Sequence, residues 1–282
     1  MRRMSGWWMA GLLAATAPIA NASTVADDAS DLGQPLATAP TTAAAGGGTP
    51  PSAALAGATP RASAAPTPAL TSGLYVGLTG MSDYRYDGMS ESNRAPTWQL
   101  TLHEFRSDGL YAGMVLTPVD FEDTPRTPLE IDLYGGKHFQ VFGSDLNLGL
   151  LYTFYPGKLS PGPSFNFGEL QAEFSHTFSR LTLKTKVAWS PHYSGDTGQA
   201  WYGRETASYA LTSWLALGGH LGRLWIPMGQ SRTFYDVGAT ATWRRLTFDL
   251  RYGGTNLQPS QCFSTNWCAP GAWASITYRL NP

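Results

Sequence analysis

The chain has 282 residues and a nearly balanced charge, 19 Lys+Arg against 20 Asp+Glu, with only 14% of positions charged. Soluble domains carry roughly 25% charged residues and nucleic-acid binders need a clustered basic face, so the composition argues against both classes. The 31 Gly and 12% aromatics beside so few charges suit a β-barrel whose outer face meets lipid.

Residues 1–22 read as a secretory signal peptide. Arg2 and Arg3 form the positive start, Trp7 to Ala17 a short apolar core, and Ala20-Asn21-Ala22 a small-x-small cleavage pattern. A membrane anchor, the alternative, fails on length: a span needs about 20 apolar residues, and Pro18 and Asn21 interrupt this run. Residues 23–72 are almost entirely Ala, Thr, Pro, Gly and Ser. Such a segment has too little apolar area to offset the entropy of ordering it, which predicts a disordered linker; a periplasmic tether is the functional alternative.

From Gly73 the pattern changes to period-2 alternation, and 73–282 reads as the folded domain. In 245–253, Leu246, Phe248, Leu250 and Tyr252 alternate with Thr247, Asp249 and Arg251. In 180–190, Leu181, Leu183, Val187 and Trp189 alternate with Thr182, Lys184, Lys186 and Ser190. Twelve such segments are predicted: 73–87, 96–105, 109–118, 128–139, 145–156, 165–178, 180–190, 200–211, 213–225, 232–243, 245–255 and 271–280. Each is near the roughly 10 residues of a tilted transmembrane strand.

The connections choose the architecture. Short links (106–108, 142–144, Ser179, Thr212, Arg244) alternate strictly with longer Gly-, Pro- and charge-rich ones at 88–95, 119–127, 157–164, 191–199, 226–231 and 256–270. Outer-membrane barrels sort their loops this way, short on the periplasmic side and long outside. Because lipid cannot satisfy an open sheet edge, the fold must be a closed antiparallel up-and-down transmembrane barrel, all-β, of about twelve strands. Trp98, Trp189, Trp201, Trp225 and Trp243 fall on the apolar parity near strand ends, as an aromatic girdle requires. A soluble secreted barrel would instead turn the Leu and Val parity inward.

The opposite parity sends Asp83, Arg85, Asp87, Glu130, Asp132, Glu169, Glu173, Lys184, Lys186, Asp236, Asp249, Arg251 and Arg279 to the lumen. These charges either line a polar pore for small hydrophilic solutes or pair and plug a barrel sized between filled and open ones. Glu169 and Glu173 beside Lys184 and Lys186 favour cross-strand pairing. Cys262 and Cys268 lie in the longest predicted loop; export to an oxidising compartment makes a disulfide the expected state and a reactive thiol pair the weaker alternative.

The five His residues show no HxxxH or HExxH spacing, no G-x-S-x-G elbow occurs, and no Ser and His with an orienting third group stands out. The expectation is therefore no catalytic residue, no metal and no cofactor, with a non-conducting anchor barrel and an outer-membrane hydrolase as the alternatives to a porin.

Several ordered stretches resemble the TorF family of porins. Ser82-Asp83-Tyr84-Arg85-Tyr86-Asp87-Gly88-Met89-Ser90 looks like that family's SDYRFRGIS, followed by Gly109 to Gly113, Val119-Asp120-Phe121, Glu130 to Gly136, Tyr152 to Gly157, Gly168-Glu169-Leu170 and Trp189 to Gly195. The set spans about 75 to 225 of the sequence. The resemblance implies a barrel and a porin in the outer membrane, and names no catalytic residue. The implied partners are outer-membrane lipid, small solutes and the barrel-assembly machinery, with no nucleic acid and an unknown oligomeric state. The chain ends Tyr278-Arg279-Leu280-Asn281-Pro282, without the terminal aromatic that this machinery often reads.

Overall fold

The computed structural model describes residues 72–122, 127–157 and 163–280. The expected signal peptide and almost all of the linker lie outside the described residues. Among the described residues fourteen strands form in chain order: β1 (Gly73–Met81), β2 (Arg85–Tyr86), β3 (Met89–Ser90), β4 (Thr97–Phe105), β5 (Leu110–Thr117), β6 (Glu130–Val141), β7 (Ser144–Phe154), β8 (Phe167–Phe178), β9 (Leu181–Ser190), β10 (Ala200–Ala210), β11 (Leu215–Trp225), β12 (Arg232–Trp243), β13 (Leu246–Thr255) and β14 (Gly271–Arg279). Twelve of them close into one antiparallel barrel, and β2 with β3 forms a separate small hairpin. Closure runs through β1, which pairs β4 on one side (Gly77 opposite Thr101) and β14 on the other (Gly77 opposite Arg279), so no edge is left unpaired.

The alternation decides which way each side chain points. Leu148, Leu150, Leu170, Leu221, Val237 and Leu250 are exposed on the outside. Thr79, Gln99, Thr101, Glu173, Lys186 and Arg251 are buried inside. This inverts the burial of a soluble core, and an apolar belt running round the whole surface calls for lipid. Trp98, Trp189, Trp201 and Trp225 ring the long-loop end of the belt, and Trp214 and Trp243 lie at the short-turn end. Glu104, Lys137, Glu205 and Arg223 are charged residues on the outward parity. Glu205, in the middle of β10, faces outward and accepts a hydrogen bond from Thr185 Oγ1 at 2.8 Å.

All five short connections and the start of β1 and end of β14 share one end of the barrel, as the loop sorting requires. The β6–β7 link is a two-residue turn with positive φ at Phe142 (52°) and Gly143 (77°), matched to the strand twist.

The first predicted segment needs correction. The strand does not run from 73 to 87; it stops at Met81. Residues 82–96 turn into the barrel mouth, where Tyr86-Asp87-Gly88-Met89 makes a tight hairpin with positive φ at Asp87 (49°) and Gly88 (74°). The Cβ of any other residue at Gly88 would lie 2.5 Å from the Gly254 carbonyl oxygen, so the close docking of this hairpin depends on glycine.

Candidate functional site

The interior has two unlike walls. On β8 to β13 an ionic ladder runs around the lumen. Lys184 Nζ lies 3.6 Å from Glu173, Glu173 is opposite Lys186 in register, and Lys186 is opposite Arg204 and sits 5.6 Å over the Tyr202 ring. Further round, His220 Nδ1 meets Asp236 at 2.6 Å, Arg251 reaches Asp236 at 3.0 Å and Asp249 at 3.5 Å, and Thr240 donates to Asp249 at 2.5 Å. Glu169 accepts from Gln171 Nε2 at 2.8 Å.

The opposite wall, on β4 to β7, is aromatic. His103 and Tyr134 bond at 3.1 Å with nearly parallel rings, Tyr111 donates to Asn147 at 2.9 Å, and His138 meets Asp145 at 2.8 Å. Glycines give these rings their space: a Cβ at Gly113 would fall 2.2 Å from Tyr134, and one at Gly136 would fall 2.5 Å from the Tyr111 hydroxyl. Arg279 stacks over Tyr75 at 5.6 Å, near the short-turn end.

At the long-loop mouth the 82–96 segment is fastened on every side. Asp83 accepts from Arg85 Nε at 2.7 Å and Ser90 Oγ at 2.6 Å, while the Arg85 guanidinium covers Trp273 at 5.2 Å. Asp87 faces Arg232 of β12 at 3.5 Å. Trp267 donates from its indole to Asn93 at 2.9 Å and accepts from the Ser90 backbone at 3.1 Å, tying the segment to the 256–270 loop. That loop is closed by the Cys262–Cys268 disulfide, whose sulfurs pack in a small core with Trp267. The Tyr84 and Tyr155 hydroxyls both donate to Glu130, at 2.7 and 2.5 Å. Glu91 also bonds Glu130, and burial followed by the Glu130 charge pushes its carboxyl well above the ordinary range. Burial likewise raises Tyr84 and Tyr155. Beneath the loops lies a cavity of about 670 Å³.

Of the lumen residues expected from parity, Glu130, Asp132, Glu169, Glu173, Lys184, Lys186, Asp249 and Arg251 are buried on barrel strands, Asp236 lies among them, and Arg279 is partly exposed. Asp83, Arg85 and Asp87 are buried too, but in the inturned segment and not on a strand. Arg204, His220 and Arg232 were not anticipated, although each shares the inward parity of its strand and was open to the same reasoning. Glu91 and Tyr84 sit in an irregular loop where periodicity has nothing to say. Ser144 Oγ and His176 Nδ1 come within 2.8 Å, but no carboxylate or amide orients the imidazole among the described residues, so a triad is incomplete.

A family model described as "Bacterial protein of unknown function (Gcw_chp)" matches residues 63–275. The chain belongs to that family. No curated protein matches the sequence. Among solved structures, this Gcw_chp protein is similar to a "KdgM porin in complex with disordered oligogalacturonate" (TM-score 0.52, 6% identity, 73% of this chain and 99% of that chain covered). It is also similar to a NanC porin (TM-score 0.50, 10% identity, 73% and 100% covered). A looser match, to outer membrane phospholipase A from Escherichia coli (TM-score 0.43, 11% identity, 78% and 95% covered), bears on no chemistry here. At these identities the likeness is one of fold: the Gcw_chp barrel is porin-like.

Proposed function

We propose that the protein is an outer-membrane porin through which small hydrophilic solutes diffuse with little selectivity. The ladder from Glu173 to Asp249 carries this reading, because acids and bases share one wall of a barrel interior that an apolar core would fill with aliphatic side chains. Both signs face the lumen, which favours weak discrimination between anions and cations. The TorF resemblance in Ser82 to Ser90 supports the same reading, as do the porins of similar fold. Export by the 1–22 signal and exposure of the long loops outside the cell belong to it. The test is swelling of proteoliposomes in an isosmotic pentose or hexose. Swelling is expected, and impermeable vesicles containing correctly folded protein would count against it.

A plugged barrel with an anchoring role is the second reading. It is favoured by the 82–96 segment, which is bolted to Glu130 through Tyr84 and to the disulfide loop through Trp267. Vesicles that swell only when Tyr84→Phe loosens that segment would support it.

A further inference from the structure

The inward rows change character near the long-loop mouth. On β8 Glu169 gives way to Phe167, on β10 Arg204 gives way to Tyr202 and Ala200, and on β11 His220 gives way to Leu224 and Ile226. These apolar side chains form one buried cluster with Tyr193 and Phe234. Phe167, Tyr193 and Ile226 of that cluster line the cavity of about 670 Å³. Phe121, Tyr155 and Phe165 line it too, their rings edge-on at 5.7, 5.9 and 6.0 Å. The described polar lining is largely engaged within the chain. Glu130 takes the Tyr84 and Tyr155 hydroxyls and bonds Glu91, and Asp132 takes Thr153 Oγ1 at 2.5 Å. Nearer the surface Glu122 takes Asn93 Nδ2 at 2.9 Å, and Thr265 donates to the Cys262 carbonyl at 2.8 Å. Arg232 faces Asp87 at 3.5 Å. A charged ligand entering such a site loses its hydration and gains few new bonds, whereas apolar rings leave water for contact with the walls.

We propose that this vestibule binds a small neutral molecule built of aromatic or alicyclic rings and carrying few polar atoms. The volume suits it, since sites of roughly 300–1,000 Å³ enclose small organic ligands. A saccharide would stack on the same rings, but it would bury hydroxyls that a lining already bonded to itself does not satisfy. Binding here needs no conduction, so it stands apart from the porin reading.

The experiment is equilibrium dialysis of the full-length protein in lipid nanodiscs, with empty nanodiscs correcting for partition into lipid. The ligands are naphthylmethanol, naphthoate, naphthylmethylammonium and glucose at neutral pH, so the first three share one ring system and differ in charge. The alcohol should bind saturably, and each ion at least about tenfold more weakly, because the ions lose their hydration on entry. Glucose should not bind. Phe165→Ala removes a cavity ring that lies outside the barrel strands, and it should weaken the alcohol several-fold. If that variant fails to fold, judged by heat-modifiable mobility, Phe121→Ala should do the same. An ion or glucose that binds as tightly as the alcohol, an alcohol that shows no saturable binding, or unchanged affinity in the folded variant would each overturn the proposal.

Discussion

Arg85 donates from Nε to Asp83 at 2.7 Å, with both side chains almost wholly shut off from solvent. The pair forms the hub of the inturned segment, since Asp83 also holds Ser90 and Arg85 NH1 reaches the Ala269 carbonyl at 3.1 Å. Removing one partner of a buried pair leaves the other charge uncompensated, which costs about 3–5 kcal/mol. The cost falls on a loop segment, so Arg85→Ala should loosen that segment without opening the barrel. The expected outcome is larger single-channel conductance with unchanged heat-modifiable mobility; unchanged conductance would show that the segment does not constrict passage.

The disulfide spans six positions and lies away from every barrel strand. Closing so short a loop is worth about 2 kcal/mol by chain entropy, and that stabilisation is local. The Cys262→Ser, Cys268→Ser double variant should keep the barrel's melting temperature in detergent while the 256–270 loop becomes easier to cleave, as read by limited proteolysis.

Glu91 gives the mouth a pH dependence whose sign follows from its raised carboxyl. Its contribution to holding the segment is full below the ordinary carboxylate value of about 4.3 and is lost as pH rises through the elevated folded value. Trypsin cleavage after Arg94 should therefore accelerate in the wild type relative to Glu91→Gln as pH increases, because the amide mimics the protonated acid. Parallel rates at all pH values would remove Glu91 from this role.

Glu205 lies on the lipid face in the middle of β10, where it accepts from the Thr185 hydroxyl. Charged groups near the bilayer midplane cost up to about 2–4 kcal/mol, acids less than bases. Glu205→Leu should raise the free energy of unfolding in lipid by about 1–2 kcal/mol, measured by urea titration in vesicles. A fall in stability would mean that the carboxylate is satisfied by something outside this chain.

The barrel was legible because its signal is local. Side chains two apart see the same solvent, so Leu246 to Tyr252 declares its faces without any tertiary knowledge, and the loop sorting follows from the strand count. The hairpin was not, and the reason is specific. Asp83, Arg85 and Asp87 continue the polar parity of β1, so a strand entering the lumen and a segment folding over it carry the same alternation. Only Asp87-Gly88 marks the reversal, a turn signal that the alternation masked. The Glu130 cluster draws Tyr84 and Glu91 from the inturned segment and Tyr155 from the loop after β7, which no periodicity can bring together.

The central claim is that outward aliphatic rows meet hydrocarbon around a water-lined interior that conducts. Planar-bilayer recording of the purified, heat-modifiable protein tests it most directly. Discrete conductance steps are expected, with Lys184→Glu shifting the cation-to-anion permeability ratio toward cations. A folded protein that inserts but stays silent, both as wild type and with Arg85→Ala in the mouth, would contradict it.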